Sequence, residues 1–320
     1  MDMAANTLVV LGTGGTIAGR ARQRGDLVDY RAGEVGIDEL LDGIPVPAGW
    51  RVEAAQVAQI DSKDIGPLVW RALVEAVRAQ LARPEVGGII VTHGTDTLEE
   101  SAWLLQRLLN PSKPVVLACA MRPATALVPD GPQNLADALV VAAESGARGV
   151  VAVCAGRLHA GAEVRKVHHF RLDAFDSGEA GALGVVEPGG CTLWRPWPDT
   201  ASDFDPALAA RLLACADWPR VECLFSHGGA DGGLVRALLA HAPAEGPGRL
   251  RGLVVAGTGN GTLHQDLLAA LRQAQAQGVE VRRTTRCASG RLVEGEQPGA
   301  ITGLSLPPAQ ARLALLLDLL

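Results

Sequence analysis

The sequence predicts an α/β protein whose sheet is mostly parallel and carries helices on both faces. Three observations lead there. Short β-rich runs alternate with Ala/Leu-rich helical runs along most of the chain. The run at 87–91 has the pattern of a buried strand and leads straight into a helical pattern at 98–109. The run at 7–11 also reads as a strand, and a glycine-rich turn at 12–19 follows it at once.

Taken in chain order, the strand at 7–11 and its glycine turn come first. A polar, arginine-rich stretch at 20–29 then reads as a mobile surface loop, with Gly19, Gly25 and Gly33 available as hinges. A helix is expected at 68–81, followed by the strand at 87–91 and the helix at 98–109. Strands are expected at 114–119, 149–154, 221–225, 252–255 and 279–284, and a helix at 266–276. The apolar run at 313–317 reads as part of a buried C-terminal helix. The stretch 194–206 breaks this rhythm with three prolines and small polar residues, which makes it the best linker.

Bulk properties exclude several classes. At 320 residues the chain is long enough for two domains with ordinary cores. A hydrophobic content of 48% with 20% charged residues suits a globular chain rather than a disordered one. A net charge of −6 argues against a nucleic-acid surface. No apolar run reaches the roughly 18 residues that a membrane-spanning helix needs. The six cysteines show no C-x-x-C spacing, so a reduced, cytoplasmic setting is the simplest expectation. The first strand begins close to Met1, so no signal peptide is expected, unless a leader has been trimmed away.

The chemistry-bearing residues sit at strand ends. Thr95 and Asp96 lie side by side where the 87–91 strand ends and a helix begins. In open α/β sheets ligands bind at that end of the strands, and the free N–H groups of a helix start favour negative charge there. Thr13 occupies the matching place after the first strand. A threonine hydroxyl is a weak nucleophile that needs a base or a hydrogen-bonded partner; otherwise the segment is simply a tight glycine turn. Phosphate-loop readings fail. A dinucleotide fingerprint needs glycine where Ile17 stands, and a P-loop needs Gly-Lys-Ser/Thr where Gly19 is followed by Arg20. No G-x-S-x-G elbow occurs. The histidines, including His159 and the adjacent His168 and His169, form no metal-ligand pattern. His93 reads as a packed, hydrogen-bonded residue. From spacing alone Lys166 reads as a surface lysine, and Ser62 as a helix N-cap.

Residues 13–19 (Thr-Gly-Gly-Thr-Ile-Ala-Gly), with 93–97 (His-Gly-Thr-Asp-Thr), resemble the bacterial-type L-asparaginase family, which includes the glutaminase-asparaginases. Further matches are Met121, Arg122 and Pro123; Asp130 and Gly131 with Asn134 and Leu135; and the run 256–261. They appear in order from Thr13 to about Arg312, nearly the whole chain.

The resemblance implies a larger flavodoxin/Rossmann-like N-terminal domain over 1–195, a linker over 196–212, and a smaller α/β C-terminal domain over 213–320. It implies hydrolysis of L-asparagine to L-aspartate and ammonia through a threonine nucleophile and a covalent acyl-enzyme. L-glutamine hydrolysis is the alternative; a non-catalytic amino-acid sensor and an ammonia-producing amidotransferase subunit stand further off. The catalytic set carried over is Thr13, Tyr30, Thr95, Asp96 and Lys166. Tyr30, the only tyrosine, would close over the substrate and activate Thr13. Ser62 would bind the α-carboxylate, and Asp96 the ammonium group. A glutamate from a neighbouring subunit would join Asp96; Glu296 is the best match and Glu294 its rival. Thr262 stands where asparagine-selective relatives commonly carry asparagine, which favours some glutamine use. The resemblance implies a homotetramer built as a dimer of dimers. No cofactor, metal, nucleic acid or membrane is expected.

Overall fold

In the computed structural model, which describes residues 5–199, 204–295 and 301–320, the chain divides into two compact units, Met1–Ala209 and Ala210–Leu320. The first opens with β1 (Thr7–Gly14), a short antiparallel pair β2 (Arg20–Ala21) and β3 (Tyr30–Arg31), helix α1 (Ile37–Leu41) and β4 (Arg51–Ile60). Helix α2 (Pro67–Leu81), β5 (Val86–Thr92), α3 (Leu98–Leu109), β6 (Pro114–Ala118), α4 (Gly131–Ala143) and β7 (Gly149–Cys154) follow. The unit continues with β8 (Arg157–Ala160), β9 (Arg165–Lys166), β10 (Phe175–Asp176), β11 (Gly184–Glu187) and β12 (Gly190–Leu193).

One eight-stranded sheet runs in the order β12-β11-β8-β7-β6-β5-β1-β4. The five strands from β7 to β4 are parallel, and β8, β11 and β12 extend the sheet in antiparallel pairing. Side chains alternate across a strand, and here both sets are apolar. Leu8, Val10, Ile90, Val116, Val151 and Val153 pack with Ile37 of α1 and with Leu135, Ala138 and Leu139 of α4. Their neighbours Val9, Leu11, Ile89, Val91, Val115 and Leu117 are equally buried and face the other side, where α2 and α3 lie. The Trp70 indole N–H donates to Ser101 Oγ at 2.9 Å and ties those two helices together.

The strand order reverses at β1. From β1 the chain goes to β4 on one side, then returns across β1 to β5 on the other. Such a switch point leaves a crevice beyond the carboxyl ends of the two flanking strands, here β1 and β5.

The second unit is a three-stranded parallel sheet built from β13 (Arg220–Phe225), β14 (Leu250–Gly257) and β15 (Glu280–Thr285), with β14 in the middle. Helices α6 (Gly233–His241) and α7 (Gln265–Ala276) share a core with Leu253, Val255 and Val281. Helix α8 (Pro308–Asp318) packs on the same three strands, and its Arg312 Nε donates to the Val221 carbonyl at 2.9 Å. Helix α5 (Leu208–Ala214) runs across the division between the units, just after the proline-rich stretch 194–206. Among the described residues no helix is long and apolar enough to cross a membrane.

His159, on β8, is buried, with its Nδ1 2.9 Å from Ser177 Oγ. Burial pushes its pKa down to about 4, against the opposing pull of Asp176. The folded chain therefore refuses a proton that the unfolded chain takes up once the pH falls below about 6.5. Stability is fully present above that pH and drains away towards pH 4, by about 3 kcal/mol for this group. We expect the urea midpoint of the wild type to fall across this window, and His159→Gln to fall less steeply. Equal slopes would contradict the assignment.

Candidate active site

The site grows from the ends of β1, β4 and β5, where three chain segments interlock. Thr13 lies at a register shift between β1 and β4, between the Gly12–Gln56 and Gly14–Ile60 pairs. Such irregularities re-aim side chains next to active sites. The buried Thr13 hydroxyl donates to the Thr92 carbonyl at the end of β5, at 2.8 Å. Gly15 follows at φ 82°, and its N–H donates to the Ile60 carbonyl of β4 at 2.8 Å. A Cβ at Gly15 would collide with the Gly94 backbone, and one at Gly94 would collide with Ser62. Only chain without side chains lets these segments approach so closely.

Ser62 is buried in a single 3₁₀ turn after β4. The N-cap of that turn is Asp61, whose carboxylate accepts from Lys63 N–H, so the capping alternative for Ser62 falls to its neighbour. Ser62 Oγ accepts the Asp96 N–H at 3.2 Å, and its carbonyl accepts the Thr97 hydroxyl at 2.8 Å. Its own hydroxyl proton can still be given to a ligand.

The structure brings Thr95, Asp96 and Lys166 together. Lys166 Nζ is 2.8 Å from Thr95 Oγ1 and 2.6 Å from Asp96 Oδ1. Thr95 is buried; the Lys166 side chain is 18% exposed and that of Asp96 53% exposed. Lys166 is therefore no free surface lysine: β9 carries it back over the start of α3. Its backbone N–H donates to Glu99 Oε2 at 2.6 Å. Burial raises the Glu99 carboxyl above its ordinary range, opposed by that N–H and by the charges of Arg165 and Lys166.

Tyr30 lies on β3. Its hydroxyl lies 2.9 Å from Thr16 Oγ1. Its ring lies over Gly19, where a side chain would clash with it. The stretch 20–29 closes into the β2–β3 hairpin. Ala21 N–H donates to Thr125 Oγ1 at 2.8 Å, and Gly25 N–H to the Thr125 carbonyl at 3.1 Å.

His93 is fully buried, and its Nδ1–H donates to the Gly94 carbonyl at 2.7 Å. Burial lowers its pKa to about 4. Its role is to brace the turn that carries Thr95. The motifs at 121–123 and 130–135 brace the neighbouring strand end. Asp130 accepts the Met121 and Arg122 N–H groups at 2.9 Å each. Asn134 reaches the Cys119 carbonyl at 2.8 Å and accepts the Ala155 N–H at 3.0 Å.

Two expected residues belong to the second unit. The Thr262 hydroxyl donates to the Thr258 carbonyl at 2.9 Å. Glu294 is held by Arg283 Nη2 at 2.7 Å and by Gly303 N–H at 2.7 Å, so both carboxylate oxygens are engaged within its own unit. Glu296 lies outside the described residues. Thr16 and Glu99 are the site residues that sequence reasoning missed. Thr16 was in view as part of the glycine turn, and Glu99 as an acidic residue in a first helical turn, a place where such residues are common. Among the described residues no group of three or more His, Cys, Asp or Glu side chains could hold a metal ion.

Two family models match the chain: "Asparaginase, N-terminal" over residues 7–197, and "Glutaminase/Asparaginase C-terminal domain" over residues 220–319. The chain is 33% identical to a glutaminase-asparaginase of Pseudomonas fluorescens biotype A, covering 96% of this chain and 84% of that one. It is 30% identical to L-asparaginase 2 of Escherichia coli strain K12, covering 99% and 90%. The crystal structure of a probable cytoplasmic L-asparaginase from Campylobacter jejuni superposes with a TM-score of 0.88 at 30% identity, covering 98% and 95%. An α/β enzyme with hydroxyl groups gathered at a sheet switch point is what fold and site define. The chain belongs to the asparaginase/glutaminase family of hydrolases.

The interlock can be tested at Gly15. Gly15→Ala forces a side chain into a positive-φ position against the Gly94 backbone. We expect a loss of about 1–3 kcal/mol from the strained conformation alone, read as a lower Tm. A variant with wild-type Tm would show that the loops can separate freely.

Proposed function

We propose that this chain hydrolyses the side-chain amide of L-asparagine to L-aspartate and ammonia, and that L-glutamine is a second substrate. The observation that carries the reading is the pair of threonines flanking the β1/β5 crevice, one of them gripped by an ammonium group.

In the proposed reaction Thr13 Oγ attacks the amide carbon, and its proton leaves through hydroxyl groups that the loop supplies. The Thr92 carbonyl accepts a hydrogen bond from Thr13 but cannot serve as a base, so the hydroxyl must turn toward another acceptor on reaction. The Thr16–Tyr30 pair supports a route there. N–H groups at the start of α3 offer charge stabilisation to the oxyanion; one such donor is typically worth about 10²–10³ in rate. The C–N bond breaks, ammonia departs with the proton, and an aspartyl ester remains on Thr13. Water then attacks the ester, with Thr95, Asp96 and Lys166 orienting or activating it. The carboxylate is released and Thr13 recovers its proton.

Asp96, half exposed, is suited to the substrate ammonium group, and the Ser62 hydroxyl to the α-carboxylate. The engagement of both Glu294 oxygens supports Glu296 as the glutamate lent across subunits in a dimer of dimers. A cytoplasmic setting is supported by six free cysteines and by the printed name of the Campylobacter jejuni protein. Glutamine use is supported by Thr262 and by the Pseudomonas fluorescens relative, which is named for both activities.

The test is ammonia release from L-asparagine and L-glutamine, side by side, by wild type and Thr13→Ala. We expect release from asparagine and measurable release from glutamine by the wild type, and a loss of orders of magnitude in the variant. Near-normal turnover by Thr13→Ala would overturn the nucleophile assignment. Cleavage of neither amide by the wild type would overturn the substrate class.

A further inference from the structure

Lys166 sits on a strand of only two residues, paired with an equally short β10. Pairing of that length is marginal by itself, yet Lys166 Nζ must reach Thr95 and Asp96 with hydrogen-bond accuracy. The backbone supplies a second anchor, because the Lys166 N–H is taken by Glu99 Oε2. Thr95, Asp96 and Glu99 all belong to one short segment, the turn after β5 and the first turn of α3. One rigid element therefore grips the lysine at both ends, main chain and ammonium. The helix N-terminus favours a carboxylate at Glu99, and the charges of Arg165 and Lys166 oppose its burial cost. An exposed glutamate would meet the needs of the helix start equally well. Its half-buried placement serves the contact with β9.

We propose that Glu99 is a positioning residue for Lys166: by holding the Lys166 N–H it fixes where β9 meets α3, and so sets the reach and direction of Nζ toward Thr95 and Asp96. This rests on the role given to Lys166 above and adds a residue that touches no substrate.

The test is a double-mutant cycle on asparagine hydrolysis, with Glu99→Ala, Lys166→Met and the pair. Misplacing a catalytic group by about an ångström can cost on the order of 10²-fold, so Glu99→Ala should lower kcat by about that much with little change in KM. Lys166→Met should be crippled, and adding Glu99→Ala to it should cost almost nothing more, because Glu99 acts through Lys166. Glu99→Gln keeps an acceptor at the same reach and should restore most of the turnover, whereas Glu99→Asp keeps the charge but falls short and should not. That Gln/Asp comparison decides the matter even where Glu99→Ala fails to fold. Wild-type kcat in Glu99→Ala, losses that multiply in the double variant, or rescue by Asp rather than Gln would each overturn the proposal while leaving a crippled Lys166→Met in place. Full turnover in Lys166→Met would instead overturn the role of Lys166 itself, and this inference with it.

Discussion

The backbone contact between Gly15 and Gly94 is the constraint on which the site depends. Parallel pairing of β1 with β5 brings the two strand ends level, and the reversal of strand order leaves nothing wedged between them. Two glycines then let the loops touch. From that contact follow the Thr13 hydrogen bond to the Thr92 carbonyl, the seat of Ser62 beneath Gly94, and the direction of the turn that carries Thr95 and Asp96. None of these bonds is strong alone; a typical protein hydrogen bond contributes about 1 kcal/mol net. Their geometry is shared, so a shift in either loop is felt by all of them.

Charge enters from a different layer. Lys166 arrives on a strand outside the main sheet and lies partly buried between a half-exposed carboxylate, Asp96, and a half-buried one, Glu99. A buried charge must be paired to be tolerated, and here the pairing also aims it. In the proposed reaction the second oxygen of Asp96 and the hydroxyl proton of Ser62 serve the substrate rather than internal bonds.

The sheet was legible in the sequence where its strands are buried on both faces. The runs at 87–91, 114–119 and 149–154 are continuous apolar segments, and the structure forms β5, β6 and β7 there. The edge strand β4 was not legible. Its Glu53, Gln56 and Gln59 mark a half-solvated surface that has no buried-strand signature. The antiparallel extension through β8, β11 and β12 was missed because those strands are four residues long and punctuated by glycine. Thr13, Thr95, Asp96 and Lys166 could be carried over from motifs, but spacing alone gave Lys166 the look of a surface residue. Its partners are some seventy positions away, a separation that only topology closes. For the same reason Glu99 as the partner of the Lys166 backbone had no local signal; Thr16 and Tyr30, fourteen positions apart, are joined by a hairpin whose two-residue strands leave no pattern.

The central claim is that a threonine at the end of β1 becomes covalently acylated. It is tested most directly by quenching the enzyme in acid during turnover of L-asparagine and mapping the modified peptide by mass spectrometry. The account predicts an aspartyl ester on the peptide that contains Thr13, absent from Thr13→Ala. An adduct found only on the peptide that contains Thr95 would contradict it.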